Sequence, residues 1–487
     1  NEDGTFKYAR KLIQFLRYYG IDGIGLNPEG YWSTQLNEDF SSFLAECHKV
    51  AEEMNHPFHV EWYAFVSNSG GLSDNGSKLE IGANDKWFHK NGYPVTDVFF
   101  LNYNWTESGL QKSVDAAKSL GRSTYDVYAG FDQQGRGYGK YGNAGWTALM
   151  KQPVSIVVWG GHDRSQLYAG STEGGNSDLS VQNEYQKKQE LLFTGGSRNV
   201  LRTPDVTDDV ITSSYSDLTK WHGYSKAVIE ESTLTELPFV TRFNLGNGYS
   251  FSKEGTVTFD HKWYNIGLQD LLPTWRWWIE NKGNLKAKIN WDDAYNFGTS
   301  IKISGTLTQG DHLTRLYKTM IPVENGGKFR LVYKTNTENS IEVKLGTESK
   351  TDGAWITLGN PTITDQNGWK VAEYDLSALK GKTVYIIALN FKATSEVAAY
   401  EALLGELAML PANYAPVAPT VTNLNTTSVL GEEKGDIRLT WDFTTNEDFE
   451  HFDIYTELAD GSKKLVGQTR GEAFYIPTFE RNGNDAY

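Results

Sequence analysis

The chain has 487 residues, enough for about two to four domains rather than one core. Its 46 Lys and Arg against 61 Asp and Glu leave a net charge of −15. That balance argues against a nucleic-acid partner, because a phosphate backbone rewards clustered cations. No run of about eighteen apolar residues occurs, so no membrane span is expected, and the opening NEDGTFKYAR lacks the apolar core of a signal peptide.

The first half alternates helices and strands. Apolar residues recur at helical spacing in FKYARKLIQFLRYYG (6–20), which stops at Gly20. The strand IDGIGLN follows, then the helix DFSSFLAECHKVAEEM, which carries Cys47, the chain's one cysteine. It can form no internal disulfide and reads as a small buried hydrophobe. Next come the strand FHVEWYAFV (58–66), the strand TDVFFLNYNW (96–105), the helix SGLQKSVDAAKSLG, and the strands TYDVYAGFD (124–132) and PVSIVVWGG (153–161). Each strand is a near-continuous apolar run, the pattern of a parallel sheet covered on both faces. The expected fold class is therefore α/β plus all-β: about five C-terminal βα units of a (β/α)8 barrel over 1–235, then β-sandwich modules. A closed barrel needs eight strands. The chain opens on a helix with no strand ahead of it, so three upstream βα units are expected outside this sequence.

From about residue 236 the texture changes to short alternating runs between turns, such as SIKISGTLT, KFRLVYKT and KTVYIIALNF. This reads as a jelly-roll-like sandwich over 236–410. The proline-rich PANYAPVAPTVTNL is a linker. Beyond it, 415–487 reads as a fibronectin III or immunoglobulin-like sandwich around Trp441, stopping near its fifth strand.

Chemistry concentrates where the barrel-type strands end, since strand C-termini and the loops after them build the active site of such a fold. The first strand ends in Asn27-Pro28-Glu29. Side chains at i and i+2 of a strand share a face, so the amide and the carboxyl can enter one cavity. Most glycosidases pair two carboxylates, about 5–5.5 Å apart for retention and about 6.5–9.5 Å for inversion. An amide is a poor nucleophile but donates and accepts hydrogen bonds. That suits a substrate that supplies its own nucleophile, a 2-acetamido group, while Glu29 protonates the leaving oxygen. A turn with no chemistry fits Asn-Pro-Glu-Gly as well. No HExxH or paired-His spacing suggests zinc, and no GxSxG elbow is present. No cofactor is expected; the turns DQNG, DGS and GNG could hold structural calcium, although plain turns explain them. The loop QQGRGYGKYG (133–142) lacks a phosphate-loop ending and reads as a glycan-binding loop.

The ordered set YYGIDGIGLNPEG, VEWYAFVSNSG, VFFLNYNW, DVYAGFDQQGRG and SIVVWGG resembles glycoside hydrolase family 85, the endo-β-N-acetylglucosaminidases. Further on, LPFVTRFNLGNGYSF and WYNIGLQDLLPTWRWW resemble the start of that family's sandwich region. The resemblance implies cleavage of the GlcNAc-β1,4-GlcNAc bond in the core of asparagine-linked glycans, by a retaining, substrate-assisted route through an oxazoline, with transglycosylation to sugar acceptors. N-linked glycans of glycoproteins would be the partners. It assigns Asn27 to orienting the acetamide and Glu29 to acid then base, with Tyr63 beside them and Trp105 as a gate near the acceptor. Trp62, Asn102, Tyr103, Asp132 and Trp159 would be sugar contacts. Ala64 departs from the acidic residue that many relatives carry after the Trp-Tyr pair. Two alternatives stay open: an inactive glycan-binding or adhesion protein, and a two-carboxylate glycosidase using Asp132 with Glu29. A secreted or cell-surface, bacterial protein is expected.

Overall fold

The computed structural model describes residues 5–72, 76–90, 92–136, 146–160, 178–195, 223–224, 234–275, 278–349, 354–444, 449, 451–457, 461 and 463–480. Most of the glycine-rich loop and the segment 161–177 lie outside them. The chain divides into two compact units, one built mainly from Asn1–Asn176, the other mainly from Glu230–Tyr487.

In the first unit, helix α1 (Ala9–Tyr19) buries Ala9, Ile13 and Leu16 and ends at Gly20, whose φ of 67° allows the left-handed cap. Helix α2 (Thr34–Glu53) starts a turn and a half before the apolar periodicity does, because Ser33 caps it by accepting the Leu36 N–H at 3.1 Å. Helix α3 (Glu107–Ser119) is capped likewise by Thr106. Five strands, β1 (Gly23–Leu26), β2 (His59–Tyr63), β3 (Val98–Leu101), β4 (Val127–Asp132) and β5 (Ser155–Trp159), form one parallel sheet in chain order. Each is shorter than its apolar run, since pairing stops where the neighbouring strand runs out.

The registers align the strands in rows. Leu26, Trp62, Phe99 and Val127 lie side by side, and Tyr63, Phe100, Tyr128 and Ser155 form the next row. Because successive residues point to opposite faces, the sheet has two different sides. On one, Trp62, Phe99, Leu101, Val127, Ala129 and Phe131 are all fully buried. The other carries Glu61, Tyr63, Asn102, Asp132 and Trp159.

The second unit is antiparallel. A seven-stranded sheet runs Lys286–Asn290, Ser300–Leu307, Val397–Pro411, Gly327–Thr335, Trp369–Asp375 and Thr362–Gln366, with Phe239–Thr241 also pairing Val397–Pro411. A four-stranded sheet runs Gly310–Val323, Lys382–Ala393, Ile341–Gly346 and Trp355–Thr357. Alternate residues of both, among them Ile301, Leu331 and Leu407 from the first and Leu316, Val343 and Leu389 from the second, share one core. The last described strands form a three-stranded sheet (Thr420–Leu430, Lys434–Thr444, Ala473–Glu480) and a ribbon (Phe452–Glu457, Lys463–Thr469). Buried Trp441 meets Phe452 edge-on at 5.2 Å. Among the described residues no helix is long and apolar enough to cross a membrane.

Candidate active site

Asn27 and Glu29 lie just beyond the end of β1. Both are exposed, and Pro28 between them is buried. The Glu29 N–H donates to the Asn27 carbonyl at 3.1 Å, closing a tight turn around the proline. Neither side chain makes a hydrogen bond or ion pair among the described residues. The loop that carries them is held from below. Trp32 donates its backbone N–H to Gly70 at 2.8 Å, and its ring meets Trp62 and Trp87 edge-on at 5.9 and 5.6 Å. A side chain at Gly70 could not be accommodated, for a Cβ there would lie 2.1 Å from the Trp32 carbonyl. Tyr31 is left 80% exposed, two residues past Glu29. It was visible in the sequence only as one of two adjacent aromatics, and the packing of Trp32 against Trp62 and Trp87 decides which one faces water.

Leu26, the last residue of β1, pairs with Trp62, the residue before Tyr63 on the neighbouring strand. The Tyr63 hydroxyl accepts the Asn102 side-chain N–H at 2.6 Å, with each residue only 7% exposed. The Asn102 Oδ1 in turn accepts the backbone N–H of Asn104 at 3.1 Å. Phe65, Phe100 and half-buried Tyr103 surround the phenol ring, with centroids 5.8, 5.1 and 6.1 Å away. Asp132 and Trp159 are register partners at the ends of β4 and β5; Asp132 is half-buried and Trp159 is 47% exposed. The structure thus brings Tyr63, Asn102 and Tyr103 into one cluster, leaves Asn27 and Glu29 just past the end of the neighbouring β1, and sets Asp132 with Trp159 further along the same sheet.

Two expected sugar contacts are placed elsewhere. Trp62 is fully buried and stacks on Trp87 with centroids 4.0 Å apart and planes 13° from parallel. Adjacent strand residues cannot share a face, so Trp62 points to the side opposite Tyr63, where it packs on Trp87. Trp105 is 1% exposed, donates its indole N–H to the Gly130 carbonyl at 2.9 Å, and packs edge-on against Phe131. Neither ring offers a face to a ligand in this structure.

Sequence reasoning passed over Glu61. It shares a face of the sheet with Tyr63, and a Cβ on its partner Gly25 would sit 3.9 Å from its Oε2. The residue stays solvent-accessible, yet the sheet floor crowds its carboxyl and desolvation pushes it above the ordinary carboxylate value. Only the pairing of β1 with β2, invisible in either segment alone, brings it beside the strand that leads to Asn27. Among the described residues no group of three or more His, Cys, Asp or Glu could hold a metal ion. In the DQNG turn, Asn367 donates its side-chain N–H to the Glu254 carbonyl at 2.8 Å, a structural use of that turn.

Comparisons with known proteins show the family to which the chain belongs. The family model described as glycosyl hydrolase family 85 matches residues 1–251, and that of the C-terminal domain of GH85 endohexosaminidases matches 419–486. The chain belongs to glycosyl hydrolase family 85, which places it among the glycoside hydrolases. It is 23% identical over 519 residues to cytosolic endo-beta-N-acetylglucosaminidase 1 of Arabidopsis thaliana, covering 97% of this chain and 69% of that protein. It is 26% identical over 368 residues to the cytosolic endo-beta-N-acetylglucosaminidase of Danio rerio, covering 74% of this chain and 44% of that one. The crystal structure of the glycoside hydrolase domain of Endo-D from Streptococcus pneumoniae matches with a TM-score of 0.69 at 26% identity, over 100% of this chain and 74% of that one. The six curated relatives are all named cytosolic, which overturns the expectation of a secreted or cell-surface protein. No residue had carried that expectation.

Proposed function

We propose that this chain cleaves the GlcNAc-β1,4-GlcNAc bond of the N-glycan core with retention, using the sugar's own acetamide as nucleophile. The observation that carries the reading is the pair Asn27 and Glu29, both exposed around a buried Pro28 just past β1, the strand that pairs with the one ending in Tyr63. The relatives' names, endo-beta-N-acetylglucosaminidase, support the same bond class. In the first step Glu29 gives its proton to the glycosidic oxygen. The acetamide oxygen bonds to the anomeric carbon as the carbon–oxygen bond to the departing GlcNAc breaks, leaving an oxazoline in its N-protonated form, the amide N–H being retained throughout. Asn27 orients the acetamide by hydrogen bonding, and Tyr63, fixed by Asn102, borders the same space. In the second step the Glu29 carboxylate takes a proton from water, whose oxygen opens the ring and restores the acetamide. A sugar hydroxyl in place of water gives transglycosylation. Asn102, Tyr103, Asp132 and Trp159 are read as sugar contacts.

The five parallel strands are read as part of a (β/α)8 barrel over 1–235, followed by a jelly-roll-like sandwich over 236–410 and an immunoglobulin-like module over 415–487. The test is to incubate the chain with a defined N-glycopeptide and weigh the products. A peptide that keeps one GlcNAc, with turnover abolished in Glu29→Gln, supports the reading. An unchanged glycopeptide sinks it. Cleavage of a substrate that lacks the 2-acetamido group would instead point to a second carboxylate.

A further inference from the structure

The second unit contains a cavity of about 280 Å³ that the glycosidase reading does not use. It lies between the large antiparallel sheets and the last module, and both contribute to its walls. On one side Glu406, 2% exposed, has both carboxylate oxygens occupied. Arg242 Nε donates to Oε2 at 3.1 Å, and Arg330 Nη1 donates to Oε1 at 3.3 Å. Arg330 also reaches Glu373 through Nε and Nη2, at 3.3 and 3.2 Å, so its guanidinium plane is fixed. On the other side Asp453 pairs with His451 at 3.1 Å and with Lys253 at 3.4 Å. Phe251 and Phe297, edge to face at 5.5 Å, complete the lining.

The charges decide the ligand class. His451 apart, three cations (Arg242, Lys253, Arg330) and three anions (Glu254, Glu406, Asp453) line the cavity, so their fields offset one another and no strong field favours an ion of either sign. What remains is a rigid array of donors and acceptors beside aromatic edges, at the small end of ligand-pocket volumes, about 300 Å³. A sugar presents the complement, with hydroxyls that both donate and accept set around a C–H-lined ring.

We propose that this cavity binds one neutral sugar unit, a hexose or an N-acetylhexosamine, completed by the last module through His451 and Asp453. The proposal does not rest on the activity assigned to Asn27 and Glu29. The test titrates the full chain with methyl α-mannoside and with N-acetylglucosamine by calorimetry, with hydrogen exchange read on peptides covering 250–256 and 451–456. One of the two sugars should bind saturably and slow exchange in both peptides. Glu29→Gln should leave that binding unchanged. Lys253→Trp, which plugs the rim at a side chain 56% exposed and spares Glu406 and its partners, should weaken it at least tenfold. The exchange readout on the unaltered chain keeps the test decisive even if the variant fails to fold. Absence of saturable binding, binding without protection of those peptides, or displacement by equimolar sulfate overturns the proposal, the last result marking an anion site.

Discussion

Replacing Tyr63 with Phe deletes one oxygen and little else, which makes it a sharp probe of the strand-end cluster. That oxygen accepts the Asn102 side-chain N–H at 2.6 Å, and both residues are 7% exposed, so water has little access to replace it. Stranding a buried donor costs about 1–3 kcal/mol, or about 5- to 150-fold in the local opening equilibrium. Hydrogen exchange of peptides covering β2 and β3 reads that opening directly, without requiring the whole chain to unfold in one step. Asn102→Ala should also loosen both strands, since it removes the acceptor for the Asn104 N–H as well. The double variant should cost less than the sum of the two by about 1 kcal/mol, because each single change already breaks the shared bond. Effects that add within about 0.3 kcal/mol would mean that the bond contributes nothing.

Other consequences follow from the same sheet. Gly130→Ala would put a Cβ 2.2 Å from the Leu101 carbonyl and 2.6 Å from the Phe100 ring, so β3 and β4 must part. A loss of about 1–3 kcal/mol should appear as faster exchange in both strands. Glu61 keeps its proton to higher pH when folded than when unfolded, because burial disfavours its charged form. The folded chain therefore binds more protons in the interval above the ordinary value of 4.5, and stability falls as pH rises through it. Glu61→Gln should flatten that slope in melting curves taken across the interval; an unchanged slope would refute the assignment. Burial, with the Glu46 charge adding to it, pushes the Cys47 thiol up to about 12. A disulfide reagent at pH 8 should leave it unlabelled until denaturant is added.

Strand and helix identity was legible in the sequence because periodicity is local. The apolar runs at 21–27, 58–66, 96–105, 124–132 and 153–161 each contain one strand of the parallel sheet. That Asn27 and Glu29 fall just past the first of these strands follows from the same local signal. Which strand neighbours which, and in what register, depends on contacts far apart in sequence. Only those contacts brought Glu61 beside Gly25, joined Tyr63 to Asn102 across 39 residues, and closed the cavity around Glu406 and Asp453. They also separated Trp62 from Tyr63. Aromatic character alone suits a sugar platform and a core equally well, and only packing from both sides of the sheet decides between them.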